Sequence, residues 1–491
     1  MLRTMIESHQ SSAKTQNMTS GSTRAGRILC ILLPFFAAQI IHSQAAHAPA
    51  KPAPIADFTD IAKKAGLTVA NVFGGKQSST YILESTGTGV AIFDYDNDGW
   101  PDIFLVNGTT LEGFPAGSAP TNHLYHNNHD GTFTDVTESA GLVATGWGQG
   151  VCVGDYDNDG WEDLYVTYYG KNRLYHNRGG TFEEVAEQAG VAGDGKTWGS
   201  GCAFLDYDRD GRLDLVVANY ADFDLAHAAP PGKYPTCLWK GIAVFCGPRG
   251  LPASKNILYR NLGNGRFQDV TVPSRIDRTM GHFCFSVTPF DFDNDGWPDL
   301  LLANGHVYPE VDSLDLDIHY REPKLLYHNN GNGTFTDISD TAGPGIRTPA
   351  PSRGLAVGDL WNDGRLSAVI ANRSGPPSLL VNRTTYPNHW IEVKTVGTRS
   401  NRSGIGARLL LKTNSREQID EIRSGSSYIS NNDMRAHFGL GTNSKIDYLE
   451  VRWPSGLVER FRNPPVDRIL IAKEGSAEAV GPPAESPRKK K

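Results

Sequence analysis

Four carboxylates fall within the nine residues "DYDNDGWED" at 155–163, and the same crowding recurs along the chain. Two carboxylates about 5 Å apart repel by roughly 3 kcal/mol at an effective dielectric of about 20. A loop holding Asp155, Asp157, Asp159 and Asp163 therefore calls for a compensating cation. The motif stands as "DYDNDGWPDI" at 94, "DYDNDGWEDL" at 155, "DYDRDGRLDL" at 206 and "DFDNDGWPDL" at 291, with a decayed copy, "DLWNDGRLSA", at 359. An apolar run and a second signature follow each: "HLYHN" at 123, "RLYHN" at 173, "ILYRN" at 257, "LLYHN" at 325 and a weak "SLLVN" at 378. A third, of the type "FTDI", occurs at 58, 133, 182, 267 and 335. Three signatures in fixed order define a repeat.

The shortest copy, Phe133 to Phe182, shows the unit. "TFTDVTE", "GQGVCVGDYD", "DLYVTYY" and "NRLYHN" read as four short strands, with "NRGG" as a turn. Four strands in about 50 residues is the size of a propeller blade. The first "FTDI" precedes the first acidic loop and the last loop lacks a trailing one. The N-terminal strand is thus expected to complete the last blade and close the ring, leaving no sheet edge. The expected fold is all-β: a propeller of five countable repeats, or seven blades if 219–256 and 301–324 hide degenerate strands, then a small all-β domain.

The spacing Asp-x-Asp-x-Asp-Gly-x-x-Asp has a direct chemical reading. Side-chain oxygens at positions 1, 3, 5 and 9 and a carbonyl at position 7 wrap a hard cation, and glycine at position 6 permits the turn. Oxygen-only ligation favours calcium. The ligands expected are Asp94, Asp96, Asp98, Trp100 and Asp102; Asp155, Asp157, Asp159, Trp161 and Asp163; Asp206, Asp208, Asp210, Arg212 and Asp214; and Asp291, Asp293, Asp295, Trp297 and Asp299. An EF-hand is excluded, because its position-12 Glu is replaced by Leu105, Val166, Val217 and Leu302. About four calcium ions are expected, one per intact loop. The fifth loop, with Trp361 at position 3 and Ser367 at position 9, reads as a plain turn. At tenfold excess over its dissociation constant each ion adds about 1.4 kcal/mol, so a stabilising role is favoured over sensing or catalysis.

Residues 56–385 resemble the FG-GAP and VCBS-type repeats, the calcium-loop propeller repeats also found in integrin α-subunits. After Asn382 the pattern changes. "SNRSGIGARL", "HFGLG" and "VRWPSG" resemble the ASPIC/UnbV module of the cartilage-acidic-protein family, expected over 386–474, with a polar, disordered tail over 475–491. That family pairs this module with such a propeller. The resemblance does not say what the module does.

Residues 1–48 read as an export signal: Arg24 and Arg27 precede the apolar run "ILCILLPFFAAQII", and small residues follow. No second apolar run reaches spanning length, so a secreted or periplasmic location without a membrane span is expected. Export makes Cys237 and Cys246, which bracket a Pro/Gly-rich loop, an expected disulfide. Cys152, Cys202 and Cys284 lie in apolar runs and are expected as small core residues. With 47 basic against 54 acidic residues, the chain lacks the basic balance of a nucleic-acid binder.

Catalytic groupings are weak. His306, Tyr308, Glu310 and Asp312 cluster in "NGHVYPEVD", and His282 precedes the fourth loop. Loop residues that bond backbone explain such a set more economically than acid–base chemistry. Trp147 and Trp198 stand eight residues before the first Asp of neighbouring loops, where they either pack between blades or stack on a ligand such as a sugar. The long insertions 219–256, with Asp222 and Asp224, and 304–323 are expected on one face. The expected function is extracellular binding or adhesion, with glycan or protein as partner and Trp147, Trp198, His306, Tyr308 and Glu310 as candidate contacts. The alternative is a secreted enzyme acting on polysaccharide at the propeller face.

Overall fold

The structure, a computed structural model, describes residues 56–480 apart from 209, 248–250, 253, 275–287, 315–318, 333 and 415. The export signal, His282, Cys284 and most of the tail lie outside the described residues. Five four-stranded antiparallel sheets follow one another along the chain. The first comprises Val90–Phe93, Asp102–Leu105, His123–Asn127 and Phe133–Asp135. The fifth is built from Ser352–Gly358, Ser367–Asn372, Ser378–Asn382 and, as its outermost strand, Phe58–Asp60 from the start of the chain. Phe58 pairs with Asn382 and Asp60 with Leu380. The N-terminal strand thus completes the fifth blade, as expected.

The first strand of each sheet faces the centre. Successive inner strands touch, from Thr288–Phe290 through Ser352–Gly358, Val90–Phe93 and Trp147–Gly154 to Gly199–Leu205. Blades pack through apolar faces: Phe93, Phe104, Val153 and Tyr168 share one core, and Phe58, Phe292, Leu301 and Ile370 another. The insertion 219–256 supplies 3-10 turns and a two-residue hairpin, Leu238–Trp239 with Ile242–Ala243, rather than a further blade. Among the described residues the ring has five blades.

Two sheets form the C-terminal domain. Ala436–Gly441, His389–Val396 and Ile469–Lys473 make one; Glu417–Glu421, Arg408–Lys412, Tyr448–Arg452, Val458–Arg462 and Glu478–Ala479 make the other. Glu478 pairs with Arg460, so this sheet continues past the expected boundary at Glu474. Its core is continuous with that of the third blade: Leu409, Leu449 and Trp453 belong to one cluster with Phe204, Leu213 and Leu215.

The segment 423–435 of this domain runs through the centre of the ring. Asn431 forms a parallel bridge with Ala91, and its backbone bonds Val90 and Ile92 at 2.9 and 3.1 Å. Val151 N–H donates to Ile429, Val153 carbonyl accepts from Ser424 Oγ, Phe204 N–H donates to Ser424 Oγ, and Val357 bonds Asn432 and Asp433. Inner strands of four blades thus find partners for backbone groups that have no neighbouring strand on that edge. At its far end Tyr428 O–H donates to the Thr86 carbonyl. Gly425 is required by space: a Cβ there would lie 2.2 Å from the Cys202 carbonyl, and its φ is +61°.

Two disulfides are present, Cys237–Cys246 as expected and Cys152–Cys202. The second corrects the reading of both residues as plain core. They lie on adjacent inner strands, 50 residues apart.

Candidate metal centres

Every acidic segment is the hairpin joining a blade's first strand to its second, with Phe93 opposite Asp102, Gly154 opposite Asp163, Leu205 opposite Asp214 and Phe290 opposite Asp299. The position-9 Asp is fully buried in all four. One of its oxygens accepts the backbone N–H of position 2, as from Tyr156 to Asp163 at 3.0 Å. The other accepts from the asparagine of the second signature: Asn127, Asn177, Asn261 and Asn329, at 2.7–2.8 Å. This carboxylate ties three strands together before any ion is considered. Position 1 closes the turn, Asp155 and Asp291 each accepting the N–H groups of positions 5 and 6.

The remaining oxygens converge. Ligand atoms of Asp94, Asp96 and Asp98, and those of Asp155, Asp157 and Asp163, lie within 4.8 Å of one another. Equally close sets are Asp96, Asp102 and His126; Asp157, Asp159 and His176; and Asp293, Asp299 and His328. The histidines belong to the second signature and were not anticipated as part of the loops. Their repetition beside each "DYDND" was the available signal. His176 Nδ1 is 3.3 Å from Asp163 and His328 Nδ1 is 3.2 Å from Asp299. Burial first, then mutual repulsion, pushes Asp155 up to about 8 and Asp293 to about 7. Asp102 rises to about 9 chiefly through burial, and Asp163 to about 7 for the same reason. Desolvated carboxylates at this density are a donor set for a hard cation.

Amide side chains link the loops in series, from the fourth through the fifth, first and second to the third. At position 4, Asn97, Asn158, Asn294 and Asn362 have φ between +51° and +62°, a conformation asparagine tolerates. Each donates its Nδ2 to the position-6 glycine carbonyl of the next loop: Gly160, Gly211, Gly364 and Gly99, at 2.8–3.0 Å. The signature asparagines reach the other way. Asn127, Asn177, Asn261 and Asn382 donate to position-2 carbonyls of the preceding blade, Leu360, Tyr95, Tyr156 and Phe292. Asn329 donates instead to Pro298 of its own blade.

The C-terminal domain sits against these loops. Lys394 Nζ is 3.2 Å from Asp94, Arg402 N–H donates to Asn158, and Arg416 donates to the Asp295 carbonyl. At the decayed fifth loop Arg435 bonds Asn362 and the Asp359 carbonyl. Trp100 stacks on His129 with centroids 4.6 Å apart, while Trp361 packs edge-on to Phe133.

The second-to-third strand connections leave the opposite end of each blade, and there the two long insertions meet. Trp239, at the tip of the Cys237–Cys246 hairpin, lies 5.3 Å from His306 and 6.4 Å from Tyr308, which in turn packs on Phe245 at 4.7 Å. His306 Nδ1 accepts the Tyr308 N–H, and Glu310 accepts from Ser79. Trp198 is fully buried beneath this layer among Tyr169, Tyr220 and Phe223, and Trp147 packs on Phe73. Trp198 is therefore packing and offers no surface. A cavity of about 530 Å³ opens beside the layer, lined in part by Tyr220, Phe245, Asn304, Tyr308, Arg353 and Tyr428.

Comparison with known proteins agrees with this architecture. Residues 94–166, 155–217 and 244–302 match the FG-GAP-like repeat, and residues 397–479 match the family described as ASPIC and UnbV. Cartilage acidic protein 1 of Homo sapiens is 26% identical over 404 residues, covering 79% of this chain and 51% of its own length. The Xenopus tropicalis protein of the same name is 26% identical over 389 residues, covering 76% of this chain and 52% of its own. The chain thus spans about half the length of the curated relatives it matches. A solved structure of an Agrocybe aegerita lectin recognising non-reducing terminal N-acetylglucosamine covers 60% of this chain and 65% of its own at 16% identity and TM-score 0.21, too loose an overlap to carry an argument. The chain is an FG-GAP-repeat protein with a C-terminal ASPIC and UnbV domain, similar over most of its length to cartilage acidic protein 1.

Proposed function

We propose that this protein is an exported binding or adhesion protein, in which calcium held by the acidic loops stiffens one end of the ring and the opposite end meets a glycan or protein. Asp94, Asp96 and Asp98 with the Trp100 carbonyl, and the equivalent sets around Asp155 and Asp291, would hold the ion. The donors are oxygens at the spacing calcium takes, and Asp94 Oδ1 is buried without a hydrogen-bond partner, free for a ligand role. Two disulfides fit an oxidising compartment. No helix among the described residues is long and apolar enough to cross a membrane.

One observation carries the binding reading: two insertions distant in sequence converge on the Trp239, His306 and Tyr308 layer, the first of them tied by the Cys237–Cys246 disulfide. Aromatic faces beside an open cavity suit a saccharide or a peptide. Trp239→Ala and His306→Ala are expected to lower binding at least tenfold on a glycan array and a panel of extracellular protein ligands, with calcium content unchanged. Binding that survives both substitutions would place recognition elsewhere.

A further inference from the structure

We propose that the third acidic loop is closed by guanidinium groups instead of a metal ion, so that cations are held at the first, second and fourth loops only. This rests on the calcium reading above. Where the neighbouring signatures carry His126, His176 and His328, the third carries Arg260, and where position 7 is Trp100, Trp161 and Trp297, the third loop carries Arg212.

Both arginines turn into the loop. Arg260 Nε and Nη2 are each 2.8 Å from Asp208 Oδ2, and its Nη2 is 3.6 Å from Asp210. Arg212 pairs with Asp210 and donates its Nε to the Asn261 carbonyl. The carboxylates of positions 3 and 5, which would face an ion, are thereby engaged with fixed positive charge. The fifth loop repeats the device, since Arg365 at position 7 pairs with Asp363 at position 5. The two loops share "DGRL", against "DGWPD" or "DGWED" elsewhere. A unit charge about 6 Å from a divalent ion weakens its binding about tenfold even at the dielectric of water, so two guanidinium groups cost about a hundredfold.

Position gives this substitution a purpose. The third blade shares its hydrophobic core with the C-terminal domain, so this part of the junction would stand without an ion in its own loop.

Metal analysis of the calcium-saturated protein by plasma mass spectrometry, after removal of free ion, is expected to find about three ions per chain. Arg212→Trp combined with Arg260→His, which restores the residues of the neighbouring blades, is expected to raise this by one. Hydrogen exchange on the unaltered protein gives an independent reading. In chelator, 94–105, 155–169 and 291–302 should lose protection while 206–219 keeps it. A fourth ion on the unaltered protein, equal loss of protection at 206–219, or a double variant that folds without gaining an ion would each overturn the proposal. An ion content of zero would overturn the calcium reading itself.

Discussion

Lys394, in the first strand of the C-terminal domain, holds its Nζ 3.2 Å from Oδ2 of Asp94, the opening residue of the first acidic loop. Burial pushes nearby Glu162 up to about 7, against the pull of the same ammonium. A divalent ion entering the first loop has to share Asp94 with this lysine. Lys394→Met is expected to raise affinity at one loop by several-fold, up to about tenfold, in a calorimetric calcium titration. Because Lys394 is 39% exposed, the gain should shrink as salt is added. Unchanged affinity at low salt would show that the lysine yields without cost.

Carboxyls that keep their protons to higher pH when folded than when unfolded stabilise the fold at low pH. Asp102 at about 9, Asp155 at about 8 and Asp163 at about 7 are raised in this way from an ordinary value near 3.8. Their contribution is complete below about pH 4 and is lost as pH rises through about 7 to 9. His176 and His328, held above their usual value chiefly by hydrogen bonds to Asp163 and Asp299, push the same way. In chelator the melting temperature is therefore expected to fall between pH 6 and 9, and saturating calcium should flatten the slope. A chelated protein that melts higher at pH 9 would contradict the account.

The amide staples allow a comparison within one chain. Asn177 is fully buried, donates to Tyr95 of the preceding blade and to Glu162, and accepts from Gly180. Asn177→Ala should cost about 2–3 kcal/mol in denaturant unfolding, because it leaves buried backbone groups unpaired. Asn329→Ala breaks no link between blades and should cost less. Equal costs would mean that the inter-blade bond adds nothing.

The central segment is testable through Asn431, whose Oδ1 accepts from Val153 and Gly425 and whose Nδ2 donates to Asn432. Asn431→Ala is expected to destabilise by about 2–3 kcal/mol and to speed proteolysis within 423–435. Calcium content should stay as it was.

Trp198→Ala is expected to destabilise by about 3–5 kcal/mol, because the indole is fully enclosed and its loss leaves a cavity. A melting curve close to that of the unaltered protein would return Trp198 to the surface.

The blades were legible because loop, apolar run and signature recur in order, and because "FTDI" at 58 has no acidic loop before it. What the repeat does between copies was not legible. Asn177 looks like a turn residue until Tyr95 of another blade is brought within 2.8 Å. The segment "RSGSSYISNND" reads as a polar loop, since its partners are backbone groups of inner strands that no sequence pattern marks. Cys152 and Cys202 did carry a signal, one repeat length apart on equivalent strands, but apolar neighbours favoured a core reading. Trp198 stands just before its strand, and the insertion above it, which decides its burial, lies beyond the reach of periodicity.

Closure of the fifth blade by Phe58–Asp60 sets a timetable for synthesis. The Leu379 N–H that donates to Asp60 is made 319 residues later. At about 5–20 residues per second, the opening strand waits between roughly a quarter of a minute and a minute for its partner. Through that interval its unsatisfied edge is the feature most open to mispairing, with an outermost strand of another copy as the natural wrong choice. A chain interrupted anywhere before Asn382 never leaves this condition. Its yield should depend on whatever shields a nascent edge, and far less on how well the completed blades pack.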